Sequence, residues 1–487
     1  MSTRWGRDAW AALGFAGSLL IAFASPRALH DSVVGWWYKP DHPGHLAGTL
    51  VYLGIAALCV AWLGLGRRLP ERRALLAIAA LWMLPLALAP PLFSRDLYSY
   101  YAQGTILHLG VSPYHHPPVV LAGLGRGHVL AAVSPFWRHT TAPYGPLFLE
   151  LVSLMVGIAG GHLIAGVLLT RALELVGIGL LALATPRLAR AMGSDVRRAL
   201  WLTVASPMAT LGLIAAGHND ALMIGLLAAG VAVALKGRPL TGIAVCALAA
   251  TIKVPALVGV VFIAVAWARA ETDTGAALRL LLGAAAVTVA VIGAVTLASG
   301  VGVSWLSTSL FSTPAKVRLA ITPATGAGYT VAALAHAVGI GVSSRGLEAA
   351  FGVVAFALTA VIGLSLLYRV RVGRLLTLLG TVLLVAAAGG PAAWPWYFSW
   401  GLILVAALSR WQRSRALAGA PVTSGFLVPP PGVLPLPLGS APAVLVVYLL
   451  IAGWAWQRWR HRERDVGWAG SDCPRADSAA SSALAGT

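Results

Sequence analysis

Long apolar runs separated by short polar or basic junctions make up most of this chain. The first spans about Ala9 to Ala24, the second about Leu46 to Gly64, the third about Ala74 to Leu92. Each approaches the ~20 residues that an α-helix needs to cross a hydrocarbon core of roughly 30 Å. Further runs cover Pro146 to Ala184, Ala199 to Ala216, the stretch between Asp220 and Lys236, and two short segments hinged at ATIKVP. Others lie at about Ala277 to Ala298, Leu347 to Leu367, Leu375 to Ala388, Ala416 to Val428 and Ala441 to Trp456. The pattern predicts an all-α polytopic membrane protein with about 12–14 transmembrane helices. The run from Pro146 to Ala184 is broken by Gly160, Gly161 and His162 and carries Arg171 and Glu174. It crosses once with an interfacial remainder, or three times. Arg171 and Glu174, three residues apart, read as a structural pair on one helix face.

The junctions alternate in charge. RRLPERR, PRLARAMGSDVRR, KGRP, RVRVGR and SRWQRSR are basic and belong inside by the positive-inside rule, and ARAETDTGAALR, with two Arg against two acids, falls inside by alternation. The intervening junctions then face outside. The longest, residues 93–145, exceeds what a plain connector needs, and such loops are usually functional. Its LYSYYAQGTILHLG suits a short helix lying in the interface, and SPYHHPP is stiffened by proline. Trp36, Trp37 and Tyr38 read as an outer interfacial anchor, and 329–342 as interfacial.

Composition narrows the class further. The 487 residues are 58% hydrophobic and 10% charged, too apolar for a soluble core of this size. The net charge of +19 sits at segment ends, so nucleic acid is not the implied partner. Cys59, Cys246 and Cys473 have neither disulfide nor metal spacing, and His115, His116, His128 and His139 match no zinc pattern. There is no phosphate-binding GKS/T loop and no GxSxG elbow, which sets aside an ATPase and a serine hydrolase.

Only 16 residues are acidic, and those in outer junctions are Asp31, Asp41, Asp96 and Asp220. Asp96 follows the third apolar run directly. His218, Asn219 and Asp220 gather in GHND, more polar groups beside hydrocarbon than a helix cap requires. Lys253 sits between two short apolar helices, where it either snorkels or meets an anion. Lys316 and Arg318 are the charges of another outer loop and suit an anionic head group or a surface pair. Trp394, Trp396, Tyr397 and Trp400 form either an aromatic belt or a wall on which sugar rings stack. One carboxylate as a base on a hydroxyl, cations for a phosphate leaving group and aromatic surfaces together suit an inverting sugar transfer from a lipid phosphate.

SRDLYSYYAQG, TTAPYGPLFL, GHNDALMIGLL, ATIKVP and PWYFSWGL, in this order from about residue 94 to 402, resemble the actinobacterial polyprenyl-phosphomannose-dependent α-(1→6)-mannosyltransferases of the GT-C class. The resemblance implies a GT-C-type fold with Asp96 as the catalytic acidic residue in a large first periplasmic loop. It implies mannose transfer from polyprenyl-phosphate-mannose to a growing α-(1→6) mannan glycolipid, the backbone of lipomannan and lipoarabinomannan. Arg95, Tyr98, Gln103, Tyr144, His218, Asn219, Asp220, Lys253, Trp394, Trp396 and Tyr397, with Lys316 and Arg318, make up the expected substrate-binding set. Many GT-C enzymes carry a paired acidic motif in this loop, whereas here Asp96 stands alone beside Arg95. No cofactor or metal is therefore expected, with a divalent ion on Asp220 and His218 as the one alternative. The expected organisation is a membrane domain over 1–465, with the catalytic loop at 93–145, and a cytoplasmic tail over 466–487. A secondary transporter or a lipid flippase shares the helix count and stays open at this point.

Overall fold

The computed structural model describes residues 6–28, 46–309, 322–390 and 393–427, and four isolated positions at 446, 449, 450 and 453. Lys316, Arg318, Asp31, Asp41, Trp36–Tyr38, Cys473, most of the last apolar run and the tail lie outside these residues.

Every regular element among the described residues is helical. Six helices are long and apolar enough to cross a membrane, and five more apolar helices have 10–17 residues. The polytopic all-α class therefore stands, with shorter helices in place of many of the full-length crossings that the apolar runs suggested. α1 (Arg7–Ala28) packs against α2 (Ala47–Arg67), and α3 (Arg72–Leu88) stops at Pro90 and Pro91, which cannot extend a helix. α4 (Asp96–His108) begins the long junction. It was expected in the interface, but every residue from Leu97 to Ile106 is buried. Its tyrosines supply the reason: Tyr98, Tyr100 and Tyr101 are too large and too apolar to leave at a surface when α5 (Pro146–Ile158) and α6 (Leu163–Ala191) can cover them.

The ambiguous run resolves into α5 and α6, joined through Gly160 and Gly161, whose φ values are +57° and +82°. The Gly145 N–H bonds Ile252 O at the start of α5, and the His108 ring packs against Gly157 near its end. α5 thus stays at the Asp96 end of the bundle, and α6, 29 residues long, makes the crossing. α7 (Val196–Leu202) is capped by Asp195, whose carboxylate accepts from the Arg197 and Arg198 N–H groups. Trp201 on α7 stacks on Trp62 of α2 at 4.2 Å, and each indole N–H donates to the other's carbonyl at 2.9 Å. Both buried indoles are thereby satisfied. A π-helical stretch, Met208–Ala215, leads to the GHND junction, and α8 (Asp220–Ala234) starts there.

α6 and α8 cross at Gly177 and Gly225. A Cβ on either would strike the other helix's backbone, so only glycine permits this approach. α9 (Pro239–Ala250) and α10 (Leu257–Ala268) follow, then α11 (Thr274–Ser299), capped by the Asp273 carboxylate. α12 (Pro323–Ala337), α13 (Ser344–Tyr368), α14 (Leu375–Gly389), α15 (Ser399–Val405) and α16 (Arg415–Leu427) complete the described chain. Val353, Phe356 and Val361 of α13 are exposed, as suits a helix facing lipid.

Candidate active site

Two loops meet at the head of the bundle. In the first, the chain leaves α3, turns at Phe93 and enters α4 at Asp96. Phe93 has φ +65°, a rare left-handed conformation for a bulky residue, and it is held by burial at 3% exposure. In the second, the π-helix ends at Gly217 with φ +69°, which directs His218 inward. The Leu92 N–H bonds Ala215 O at 3.0 Å and ties the loops together. Arg171 clamps both. Its guanidinium donates to Ala87 O at 2.8 Å, Ala89 O at 2.5 Å and Ala215 O at 3.4 Å. The expected Arg171–Glu174 pair is not formed. Arg171 instead satisfies backbone carbonyls left open where α3 and the π-helix end.

Gly217→Ala adds a Cβ that meets the Leu97 side chain, at a φ that L-residues avoid. We expect it to cost about 1–3 kcal/mol, read as a lower thermal midpoint of the purified protein. An unchanged midpoint would show that this turn is not strained.

The loops bring together two side-chain pairs, each holding one carboxylate. His218 Nε2 lies 3.4 Å from the Asp96 carboxylate, with the His218 side chain 1% exposed and that of Asp96 18% exposed. His218 Nδ1 bonds Gly212 O at 2.5 Å. Both ring nitrogens face oxygen atoms of neighbouring residues. Burial alone would raise the Asp96 pKa. The His218 ring, the Ser94 hydroxyl and the more distant Lys253 charge outweigh it, and the carboxyl ends below its ordinary value. In the second pair both Asp220 oxygens accept from Lys253 Nζ, at 2.9 and 2.8 Å, and one also accepts from the Trp400 N–H at 2.5 Å. Asp220 is 0% exposed. Asp96 is therefore the carboxylate at this junction with an open edge.

The aromatic cluster is present but arranged differently from a sugar platform. Trp396 stacks on His218 at 3.8 Å and on Trp394 at 4.8 Å, and both indoles are buried. Trp396 thus fixes the imidazole. Half-buried Tyr397 stacks on Trp400 at 4.6 Å, and Lys253 Nζ lies 4.5 Å from its ring centroid. Tyr144 packs edge-on against Tyr100 at 4.8 Å and its carbonyl accepts from the Tyr114 hydroxyl. Gln103 and Asn219 are buried, and the Gln103 Oε1 and both Asn219 amide atoms lack a hydrogen-bond partner. Tyr98 is buried on the first turn of α4. Of the expected set, the structure joins Asp96, Arg95, Tyr98, His218, Asn219, Asp220, Lys253, Trp394, Trp396 and Tyr397 around one junction. Gln103 and Tyr144 stand behind it. His218 and Asp220 are turned to different partners, so they do not form the metal pair that their adjacency suggested. Among the described residues no three His, Cys, Asp or Glu side chains converge as metal ligands would.

Sequence reasoning missed three features: the Arg171 clamp, the Trp400 bond to Asp220 and Arg138. Burial pushes the Arg95 pKa down. The Arg138 guanidinium adds to this, whereas Tyr98 opposes it. Arg138 is held by its bonds to Val133 O and Ala131 O. Nothing in the local sequence brings positions 95 and 138 together. The π-helix is likewise invisible in a uniformly apolar stretch, although such segments recur at functional sites.

A multi-helix membrane protein with a buried polar junction at one end of its bundle is the class that this fold and site define. Residues 11–269 match the family model described as alpha-(1->6)-mannopyranosyltransferase, N-terminal domain. Alpha-(1->6)-mannopyranosyltransferase A of Mycobacterium tuberculosis is 34% identical over 438 residues, 84% of this chain and 82% of that protein. Alpha-(1->6)-mannopyranosyltransferase B of Corynebacterium glutamicum is 26% identical over 505 residues, 92% of this chain and 82% of that one. No solved structure matches. The chain belongs to the alpha-(1->6)-mannopyranosyltransferase family and is a multi-pass membrane glycosyltransferase. The transporter and flippase readings give way to this one.

Proposed function

We propose that this enzyme transfers mannose from a polyprenyl-phosphate-mannose donor to the 6-hydroxyl of a growing α-(1→6) mannan glycolipid, the lipomannan backbone, at the outer membrane face. The observation that carries the mechanism is the contrast between the two carboxylates: Asp220 is saturated, whereas Asp96 keeps an open edge. Asp96 takes the proton of the acceptor hydroxyl as its oxygen attacks the anomeric carbon. The bond from that carbon to the phosphate oxygen breaks, and polyprenyl phosphate leaves with the electron pair. His218 holds Asp96 ionised and aimed, and Trp396 holds His218. Lys253 has its charge matched by Asp220. That leaves Arg95 with Arg138 as the cation pair better placed to meet the leaving phosphate. Tyr397, half-buried, remains as the ring nearest to a bound sugar.

The test is a cell-free one. Membranes containing the enzyme, a polyprenyl-phosphate-mannose donor and a short α-(1→6) mannoside acceptor should yield an acceptor lengthened by α-(1→6)-linked mannose. Transfer from a nucleotide-linked mannose alone would refute the donor. The orientation is tested separately by single cysteines in intact cells. A membrane-impermeant reagent should label position 128 and not position 73. The reverse pattern would invert the assignment.

A further inference from the structure

At the end of the bundle opposite Asp96, a cavity of about 380 Å³ opens between α3, α6 and the end of α8. α8 runs from Asp220 to Ala234, so Lys236 lies about 24 Å along the helix direction from the active junction. The cavity is lined by Arg72, Arg187, Arg190 and Lys236, with Leu183, Pro186, Ala191, Ala232 and Leu235 as its apolar part. No carboxylate lines it. Glu71, the neighbour of Arg72, exerts its charge on Arg7 of α1. Among the described residues none of these four cations forms an ion pair, and Arg187 donates only to Leu183 O of its own helix. The volume falls within the ~300–1,000 Å³ of small-molecule sites.

We propose that this cavity binds the phosphate headgroup of an anionic phospholipid. Four like charges around one hollow, with no carboxylate among them, attract an anion, and basic pockets between membrane helices take lipid phosphates. The apolar side of the cavity favours a lipid over a free phosphate. Leu183 and Val176, seven residues apart on α6, lie on one helix face and are 53% and 55% exposed. They extend an apolar track from the cavity along the surface that meets hydrocarbon, where acyl chains lie while the phosphate reaches the cations. The site is remote from the sugar-transfer chemistry and would anchor α3 and α8, which adjoin the two active loops, and α6, which carries Arg171, to one leaflet.

The experiment is native mass spectrometry of the full-length protein with phosphatidylglycerol, cardiolipin or phosphatidylcholine added at matched concentrations. The wild type should retain the anionic lipids over phosphatidylcholine. R187Q/R190Q should weaken that retention about 30-fold, at roughly one kcal/mol per cation. R413Q/R415Q removes the same charge from exposed positions at the same end of the bundle and should keep the lipid. Sugar transfer by R187Q/R190Q, measured in phosphatidylcholine nanodiscs, should match the wild type and show that the variant is folded. Equal loss in both double variants would reduce the effect to general attraction and overturn the site. Full retention in R187Q/R190Q would do the same. Displacement of the lipid by millimolar inorganic phosphate would reassign the cavity to a free phosphate and overturn the lipid.

Discussion

Asp96→Asn should abolish mannose transfer while leaving the protein folded and able to bind its lipid donor. The amide keeps the shape and the hydrogen-bonding capacity of the carboxylate but cannot accept the acceptor's proton. Loss of a general base typically costs about 10²–10⁴-fold in rate. A merely structural pair at a partly open position is worth about 0–1 kcal/mol, so the two roles separate by orders of magnitude. His218 loses its acidic partner, yet it keeps Gly212 O and the Trp396 stack, so the fold should hold. The pH dependence gives a second readout. Because the Asp96 pKa is depressed, its charged form persists above that lowered value and is lost only as pH falls through it. The ordinary carboxylate value is about 3.9, so transfer should show no acid limb from Asp96 between about pH 5 and 7. Turnover above about a tenth of wild type in the purified variant would remove Asp96 as the base.

Lys253→Met is the second large expectation, and its effect falls on stability. The substitution leaves the Asp220 carboxylate, 0% exposed, with the Trp400 N–H still donating to it but without its cation. Removing one partner of a buried ion pair costs about 3–5 kcal/mol, because the other charge is stranded. Replacing both partners by apolar residues of similar volume is often neutral. Lys253→Met should therefore lower the thermal midpoint in detergent sharply, and Lys253→Met combined with Asp220→Leu should recover most of it. A single variant with the wild-type midpoint would show that the pair does not hold the start of α8 to the turn between α9 and α10. Transfer assays on the refolded double variant would then separate any direct contact of Lys253 with the donor from its work on Asp220.

Much of the site was legible because membrane sequences have few polar residues to explain. Asp96, His218, Asn219, Asp220 and Lys253 stand out of apolar surroundings, and hydrocarbon makes an unexplained charge costly. The pairing among them was not legible. Lys253 looked like a phosphate ligand because its partner lies 33 residues away on another helix. Trp396 looked like a sugar platform because stacking on His218 depends on how two loops fold over one another. α4 looked interfacial because its tyrosines carry a polar tip, and only the packing of α5 and α6 decides that they face inward.

The sequence alone determined the class, the basic and non-basic ends of the helices and the residues to suspect, because hydrophobic length, arginine placement and isolated polar groups are local properties. The tertiary structure alone decided which carboxylate stays open. Asp96 and Asp220 are both acids at a helix start, and nothing in their neighbouring residues ranks them. What separates them is the reach of Lys253 and Trp400 to Asp220, together with the Arg171 clamp that brings the Asp96 turn against His218. Those contacts join positions 33 to 180 residues apart, and a linear pattern carries no record of such distances.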